Sequence, residues 1–221
     1  MTDVAITVRG THSVALPPQQ ATVYATVSAD GPVAEPVLAL VAATVAAITA
    51  SLQARHDSAG GPVTRYAVEQ VRKGAHRPYN QDGRQLPLVY TASASVSATF
   101  TDFDDLAGWI EQTAGMDGAG INHIEWALSD DHRLTVERET RQEAVRDARR
   151  RAQDYADALG LGPVAVRTIS DPGLSGPVHA KVVMARAMAA PAGGPAEITL
   201  RPEDVEIESQ VEATFVVPGG S

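Results

Sequence analysis

The sequence predicts an α+β fold in which helices pack on one face of a mainly antiparallel sheet. Alternating apolar residues mark strands, and apolar residues at three- and four-residue steps mark helices. The predicted strands at residues 64–72 and 88–100 have no helix between them, so we expect them to pair as an antiparallel hairpin. Two strand–helix–strand sub-units, at residues 21–72 and 88–128, complete the arrangement. We expect a single domain over residues 1–221.

The first half of the chain alternates between strand and helix patterns. Residues 4–8 and 21–29 are predicted strands because their apolar residues alternate. Residues 35–54 are a predicted helix with apolar residues at helical spacing. These apolar residues are Leu38, Val41, Val45, Ile48 and Leu52. A polar loop at residues 74–87 precedes the long strand at residues 88–100.

A shorter helix is predicted from a cap at Asp102 to Thr113, since aspartate is a preferred N-cap residue. Its inward residues are Leu106, Trp109 and Ile110. A glycine-rich turn at residues 115–120 then leads to a strand at residues 121–128. A phosphate-binding loop joins a strand to a helix, which is the reverse order, so we interpret this segment as a turn.

The longest predicted helix begins after residues 129–131 and ends at Leu159, with Gly160 where a helix-terminating glycine is expected. We interpret Asp130 and Asp131 as a turn and cap rather than as an acid–base pair. An apolar stripe rich in alanine would let this helix approach a sheet closely. The stripe comprises Val145, Ala148, Ala152, Tyr155, Ala156 and Leu159.

Three consecutive arginines at residues 149–151 lie on this helix. A cluster of guanidinium groups suggests an anion site or a partner surface. Acids four residues earlier, as in Asp147 and Arg151 or Glu137 and Arg141, offer these groups local partners. We therefore interpret the arginines as a solvated, self-paired helix face.

The chain ends with predicted strands at residues 164–169 and 205–217, separated by an Ala/Met/Pro/Gly tract. This tract, at about residues 171–199, is predicted to be a flexible loop with an optional short strand at residues 181–184. It is interpreted either as a passive connector or as an interface or binding loop, because methionine packs adaptably. The candidate binding or interface residues are Met184, Arg186, Met188 and Trp109. Trp109 has a second interpretation as a core residue.

Composition narrows the possible functions. Hydrophobic residues make up 44% of the chain but aromatic residues only 5%, which predicts a core of small side chains. The net charge of 18 − 27 = −9 argues against nucleic acid as a partner, because binding phosphates needs a positive field. The chain has no cysteine, which excludes disulfides and thiolate chemistry. No apolar run reaches the ~20 residues of a membrane span, and the first residues lack a basic leader. We expect a cytoplasmic protein with no transmembrane segment.

No arrangement of residues in the sequence predicts catalysis, a metal site or a cofactor. The six histidines lack the spacing of a helical metal site. His123 and Glu125 are two apart on a predicted strand, so they face the same way, and we interpret them as a surface ion pair. Ser175 lies outside any nucleophile-elbow motif.

Several segments together resemble the SIMPL-domain family, a group that includes periplasmic and outer-membrane immunogenic proteins of bacteria. The similar segments are ITVRG at residues 6–10, PQQATVYATV at 18–27, GAGINHI at 118–124, RQEAVRDAR at 141–149 and RPEDVEI at 201–207. The resemblance implies an α+β fold, a tendency to self-associate and no established enzymatic activity.

Three functional hypotheses follow. The first is a non-catalytic, homo-oligomeric scaffold or protein-interaction module. The second is a small-molecule or peptide binding protein that uses the 171–199 loop. The third is a hydrolase, which requires His123 or His132 to lie in a cleft beside a carboxylate and a nucleophile.

Overall fold

The computed structural model describes residues 3–79, 85–172 and 200–218, and within them it confirms the α+β class. Three helices and eight strands form there, and the paired strands are antiparallel. In chain order the elements are β1 (Val4–Leu16), β2 (Gln20–Gly31), α1 (Ala34–Arg55), β3 (Val63–Val68), β4 (Arg72–His76), β5 (Val89–Phe100), α2 (Phe103–Ala114), β6 (Ala119–Ala127), α3 (Asp130–Ala158), β7 (Ala165–Ser170) and β8 (Val205–Val217).

The strands divide between two sheets, and the chain divides into two compact units. Unit 1 contains β1, β7, β8 and α3, and its sheet has the order β1-β8-β7. β1 pairs with β8 along its full 13 residues. Four alanines of α3 pack against inward residues of β1 and β8 such as Val8 and Phe215.

Unit 2 contains β2 to β6 with α1 and α2. Its five-stranded sheet has the order β3-β5-β2-β6, with β4 also paired to β5. α1 and α2 pack on the same face, since the inward residues of β2 and β5 form one core cluster with both helices. The two predicted strand–helix–strand sub-units, β2–α1–β3 and β5–α2–β6, are both confirmed in this unit.

Two of the predicted helix-end signals are confirmed, whereas Asp130 and Asp131, predicted as a turn and cap, lie inside the first turn of α3. The Asp102 side chain accepts hydrogen bonds from the backbone N–H groups of Asp104 and Asp105, so it caps α2 as predicted. Gly160 has φ +67°, the left-handed conformation that ends α3.

Some strand bounds differ from the prediction. β1 runs to Leu16 rather than to Val8, because β8 offers it a partner along its whole length. The single strand predicted at residues 64–72 is two strands, β3 and β4, and β4 extends into the segment predicted as a loop. Both pair with β5, whose 12 residues are long enough to hold one strand after the other.

The predicted stripe of α3 was partly wrong. Tyr155 and Leu159 are 60% and 67% exposed instead of buried. The buried residues of α3 repeat at every fourth position and form one row along the helix. Tyr155 and Leu159 lie three residues after Ala152 and Ala156, so they fall outside this row. The row consists of Val136, Thr140, Ala144, Ala148, Ala152 and Ala156. Small side chains therefore line the whole contact with the sheet.

Candidate interaction surface

The outer side of α1 is apolar although no described residue covers it. From Pro36 to Ala54 the helix carries no charged residue. Leu38 and Leu40 are 40% and 38% exposed, on the two flanks of a row of exposed alanines. We call this surface the α1 outer face; its alanines are Ala39, Ala42, Ala43, Ala46, Ala47 and Ala50.

The opposite side of α1 packs into the core of unit 2. Val41, Ile48 and Leu52 are fully buried in the core, and each contributes about 1.5–3 kcal/mol relative to an exposed side chain. Leu38, which shares the helical spacing of these buried residues in the sequence, instead lies at the edge of the outer face. A surface helix of a soluble protein ordinarily has a polar outer side, and a helix that is apolar all round is ordinarily covered. The α1 outer face is therefore the candidate interaction surface.

By length and composition alone, α1 would also be long and apolar enough to cross a membrane. A core helix of a soluble protein meets the same criterion. Here one side of the helix is occupied by core contacts with β2 and β5.

A second surface is the face of the five-stranded sheet that α1 and α2 leave uncovered, the polar sheet face. Residues from four strands lie side by side across it. One row runs from Arg65 through Thr99 and Thr22 to Glu125, and the two threonine hydroxyls lie 3.0 Å apart in a hydrogen bond. A shallow cleft of about 310 Å³ lies over this region.

Tyr24, His123 and Glu125 form a cluster on the polar sheet face. The rings of Tyr24 and His123 stack with centroids 4.4 Å apart, and the Tyr24 hydroxyl donates to Glu125 Oε2 at 3.0 Å. His123 Nε2 lies 3.6 Å from Glu125 Oε1, so the predicted pairing of His123 with Glu125 on one side of a strand is confirmed. Tyr24 was not predicted to join this pair, because only the register between β2 and β6 places it opposite His123.

The Tyr24 cluster gives a testable pKa shift. The hydrogen bond to Glu125 raises the pKa of Tyr24 above its ordinary value, and partial burial and the charge of Glu125 act in the same direction. We expect Glu125→Gln to lower the pKa of Tyr24, as measured by ultraviolet titration of phenolate formation after subtracting the Tyr24→Phe curve. Glu69→Gln, which removes a carboxylate paired with Arg72, is the control and should leave the pKa of Tyr24 unchanged.

The raised pKa of Tyr24 also predicts how the stability of the folded protein changes with pH. Because the folded protein holds the Tyr24 proton more tightly than the unfolded chain, this contribution is complete below the ordinary tyrosine pKa of about 10 and is lost as pH rises through the raised value. An unchanged Tyr24 titration in Glu125→Gln would contradict the assigned hydrogen bond.

The residues singled out in the sequence lie in different places. Trp109 is fully buried in the core of unit 2, where its Nε1–H donates to Ser51 Oγ at 3.0 Å. Its ring therefore presents no surface to a ligand or partner. Met184, Arg186 and Met188 lie outside the described residues, as does most of the 171–199 tract.

The predicted self-pairing of the arginine-rich face of α3 is confirmed for two of the three arginines at residues 149–151. Asp147 pairs with both Arg150 and Arg151, at 3.2 and 3.0 Å. Asp147 also accepts the backbone N–H of Thr11 at 3.1 Å, which ties α3 to β1. The predicted pair of Glu137 with Arg141 is replaced by a pair of Glu137 with Arg133 at 2.6 Å.

Histidines also line a groove of about 430 Å³ between β1 and α3 in unit 1. His12 and His132 lie there with Glu139 and Glu143. Among residues 3–79, 85–172 and 200–218, no three His, Asp or Glu side chains are placed to share a metal ion.

A family match covers nearly the whole chain. The family described as SIMPL, a protein of unknown function (DUF541), matches residues 6–215, a span that begins in β1 and ends in β8. Among curated proteins no significant match to the chain was found. The family match includes every segment on which the resemblance was based, and it confirms that resemblance. The chain belongs to the SIMPL (DUF541) family.

Proposed function

We propose that this protein is a self-associating interaction module whose copies meet through the α1 outer face. One observation carries the proposal: α1 has no charged residue from Pro36 to Ala54 and exposes mainly alanine and leucine, yet only one side of it is buried. Leaving the other side in water forgoes the free energy of burying it, about 25 cal/mol per Å² of apolar surface. A partner that covers it would recover part of that free energy.

A second copy of the chain is the occupant that the surface fits best. A twofold interface brings the same patch of both copies together, so the patch must complement itself. A uniform row of alanines meets that condition, and small side chains let two helices approach closely. An anionic membrane surface is a poorer fit, because the protein carries a net charge of −9 and Arg55, the basic residue at the end of α1, pairs with Asp105 at 3.2 Å.

The central prediction is that Ala46→Glu dissociates the oligomer. We expect wild type to have a mass that is a multiple of 23.2 kDa in light scattering after size exclusion, and Ala46→Glu to have the monomer mass. Glutamate is a good helix former, so α1 should persist, while two like charges would face each other across the interface. Ala114→Glu, at the exposed end of α2, adds the same charge elsewhere and should keep the wild-type mass.

A charge-reversal mixture sharpens this test. Mixing Ala46→Glu with Ala46→Lys should restore the oligomer, because opposite charges then meet across the same face. A wild-type monomer at the highest soluble concentration, or an oligomeric Ala46→Glu variant, would reject the proposal. Flotation of a monomeric wild type with neutral phosphatidylcholine vesicles would assign the α1 outer face to a membrane instead.

We further propose that the module is not an enzyme. The Tyr24 cluster is largely solvated rather than enclosed in a water-excluding site, with His123 and Glu125 side chains 57% and 61% exposed. An activity screen in which Tyr24→Phe and His123→Gln abolish a turnover seen in wild type would overturn it.

The alternative function is binding of a small molecule or peptide through the 171–199 loop. That loop lies outside the described residues apart from its first two, so it stays a proposal based on the sequence. Deleting residues 184–195 and measuring ligand-induced thermal stabilisation tests it. Unchanged stabilisation after the deletion would contradict a role for the loop.

A further inference from the structure

A cleft of about 480 Å³ lies in unit 2 between the first turns of α1 and strands β4 and β5. Its size is within the range of small-molecule sites, about 300–1,000 Å³. The lining is mainly aliphatic and aromatic, with one side chain of each charge. The residues that matter here are Glu35, Leu38, Lys73, Ala75, Tyr90 and Ala92.

Strand register explains why this cleft is open. Lys73 is opposite Ala92, and Ala75 is opposite Tyr90, so all four project from the sheet face that α1 covers. The methyl groups of Ala75 and Ala92 do not fill the space below the first turn of the helix. Leu38 of α1 forms the facing wall, and the half-buried Tyr90 ring adds a flat apolar surface.

The charged side chains at the cleft indicate which charge a bound ligand would carry. Lys73 is exposed and forms no ion pair with any described residue. Glu35 lies in the first turn of α1, where the helix dipole already stabilises a carboxylate. Among the described residues, no ion pair therefore competes with a ligand for the ammonium of Lys73. Glu35 would repel a second negative charge on the same ligand.

We propose that this cleft binds a small amphipathic monoanion, an alkyl or aryl carboxylate whose apolar part lies on Ala75, Tyr90 and Ala92 and whose carboxylate faces Lys73. The cleft adjoins the α1 outer face at Leu38 but contains none of its exposed alanines at residues 39–50. It supplies a ligand-binding function that does not depend on self-association.

The test uses three probes with one apolar chain and different head groups: octanoate, octanol and octylammonium. By titration calorimetry, wild type should bind octanoate more tightly than octanol, and octylammonium most weakly. Lys73→Gln should weaken octanoate binding by about fivefold, the upper range for an exposed charge pair, and leave octanol binding unchanged. Equal binding of all three probes to wild type would overturn the anion assignment.

Filling the cleft tests its location. Ala75→Leu extends a side chain into the cleft from an exposed strand position and should abolish octanoate binding. Ala67→Leu, an exposed alanine that projects from the opposite sheet face on β3, is the matched control and should bind as wild type does. Octanoate binding that survives Ala75→Leu, or no binding of octanoate to wild type, would overturn the proposal.

The monomeric Ala46→Glu variant separates this proposal from the oligomer. We expect it to bind octanoate with wild-type affinity, whether or not wild type self-associates. Loss of octanoate binding in Ala46→Glu together with its retention in Ala75→Leu would place the probe on the α1 outer face, and the cleft proposal would fail.

Discussion

Gly10→Ala is expected to lower the free energy of unfolding by about 3 kcal/mol, the upper range for inserting one carbon into a close-packed contact. Gly10 lies in β1 directly beneath α3. A Cβ atom there would overlap the carbonyl oxygen of Ala144 and lie 2.6 Å from the backbone nitrogen of Ala148. Both are backbone atoms, so neither can rotate away, and the helix would have to move off the sheet.

Chemical denaturation monitored by circular dichroism measures this loss. Gly108→Ala is the control, because a Cβ at Gly108 has no atom within 4 Å and the residue lies in the interior of α2. That substitution should instead stabilise the protein by about 0.5–1 kcal/mol. Adding Ala148→Gly to Gly10→Ala should not restore the stability, since both backbone contacts remain and glycine is unfavourable in the interior of α3. Equal stability of Gly10→Ala and wild type would contradict the close packing of α3 on β1.

Local sequence signals predicted the elements better than their assembly. β8 was predicted with its observed bounds, and Asp102 and Gly160 were recognised as helix-end residues. These features could be predicted because a strand pattern and a helix end are encoded by residues adjacent in the sequence. The pairing of β1 with β8 joins residues about 200 positions apart, as in Thr7 and Thr214. No local period encodes such a pairing, so the separation into two sheets was not predicted.

The candidate surfaces, too, could be predicted only where they depend on residues close together in the sequence. α1 has apolar residues on all sides, so its periodicity could not distinguish the buried from the exposed side, and Leu38 was grouped with residues that are buried although it is 40% exposed. His123 and Glu125 were paired correctly because they share one strand, whereas Tyr24 joins them only through the register of β2 with β6. The 480 Å³ cleft depends on where α1 begins above β4, and β4 lies partly in the segment predicted as a loop.

Trp109→Ala is expected to lower the free energy of unfolding by about 4 kcal/mol, because it removes a fully buried indole and leaves a cavity. The ring packs against Phe100, with centroids 5.6 Å apart, and its hydrogen bond to Ser51 joins α2 to α1. Trp126→Phe is the control. Trp126 is only partly buried and meets Phe103 edge-on at 5.0 Å, so its substitution should cost less.

A double-mutant cycle isolates the hydrogen bond of Trp109 from its packing. Ser51→Ala leaves the buried Nε1–H of Trp109 without its acceptor and should cost about 1–2 kcal/mol in wild type, but much less in Trp109→Phe, which has no N–H to satisfy. The mass of Trp109→Phe in light scattering should equal that of wild type, because a core ring affects stability and not assembly. A changed mass with unchanged stability would instead make Trp109 an interface residue, the role that the sequence also allowed, and would contradict its placement between α1 and α2.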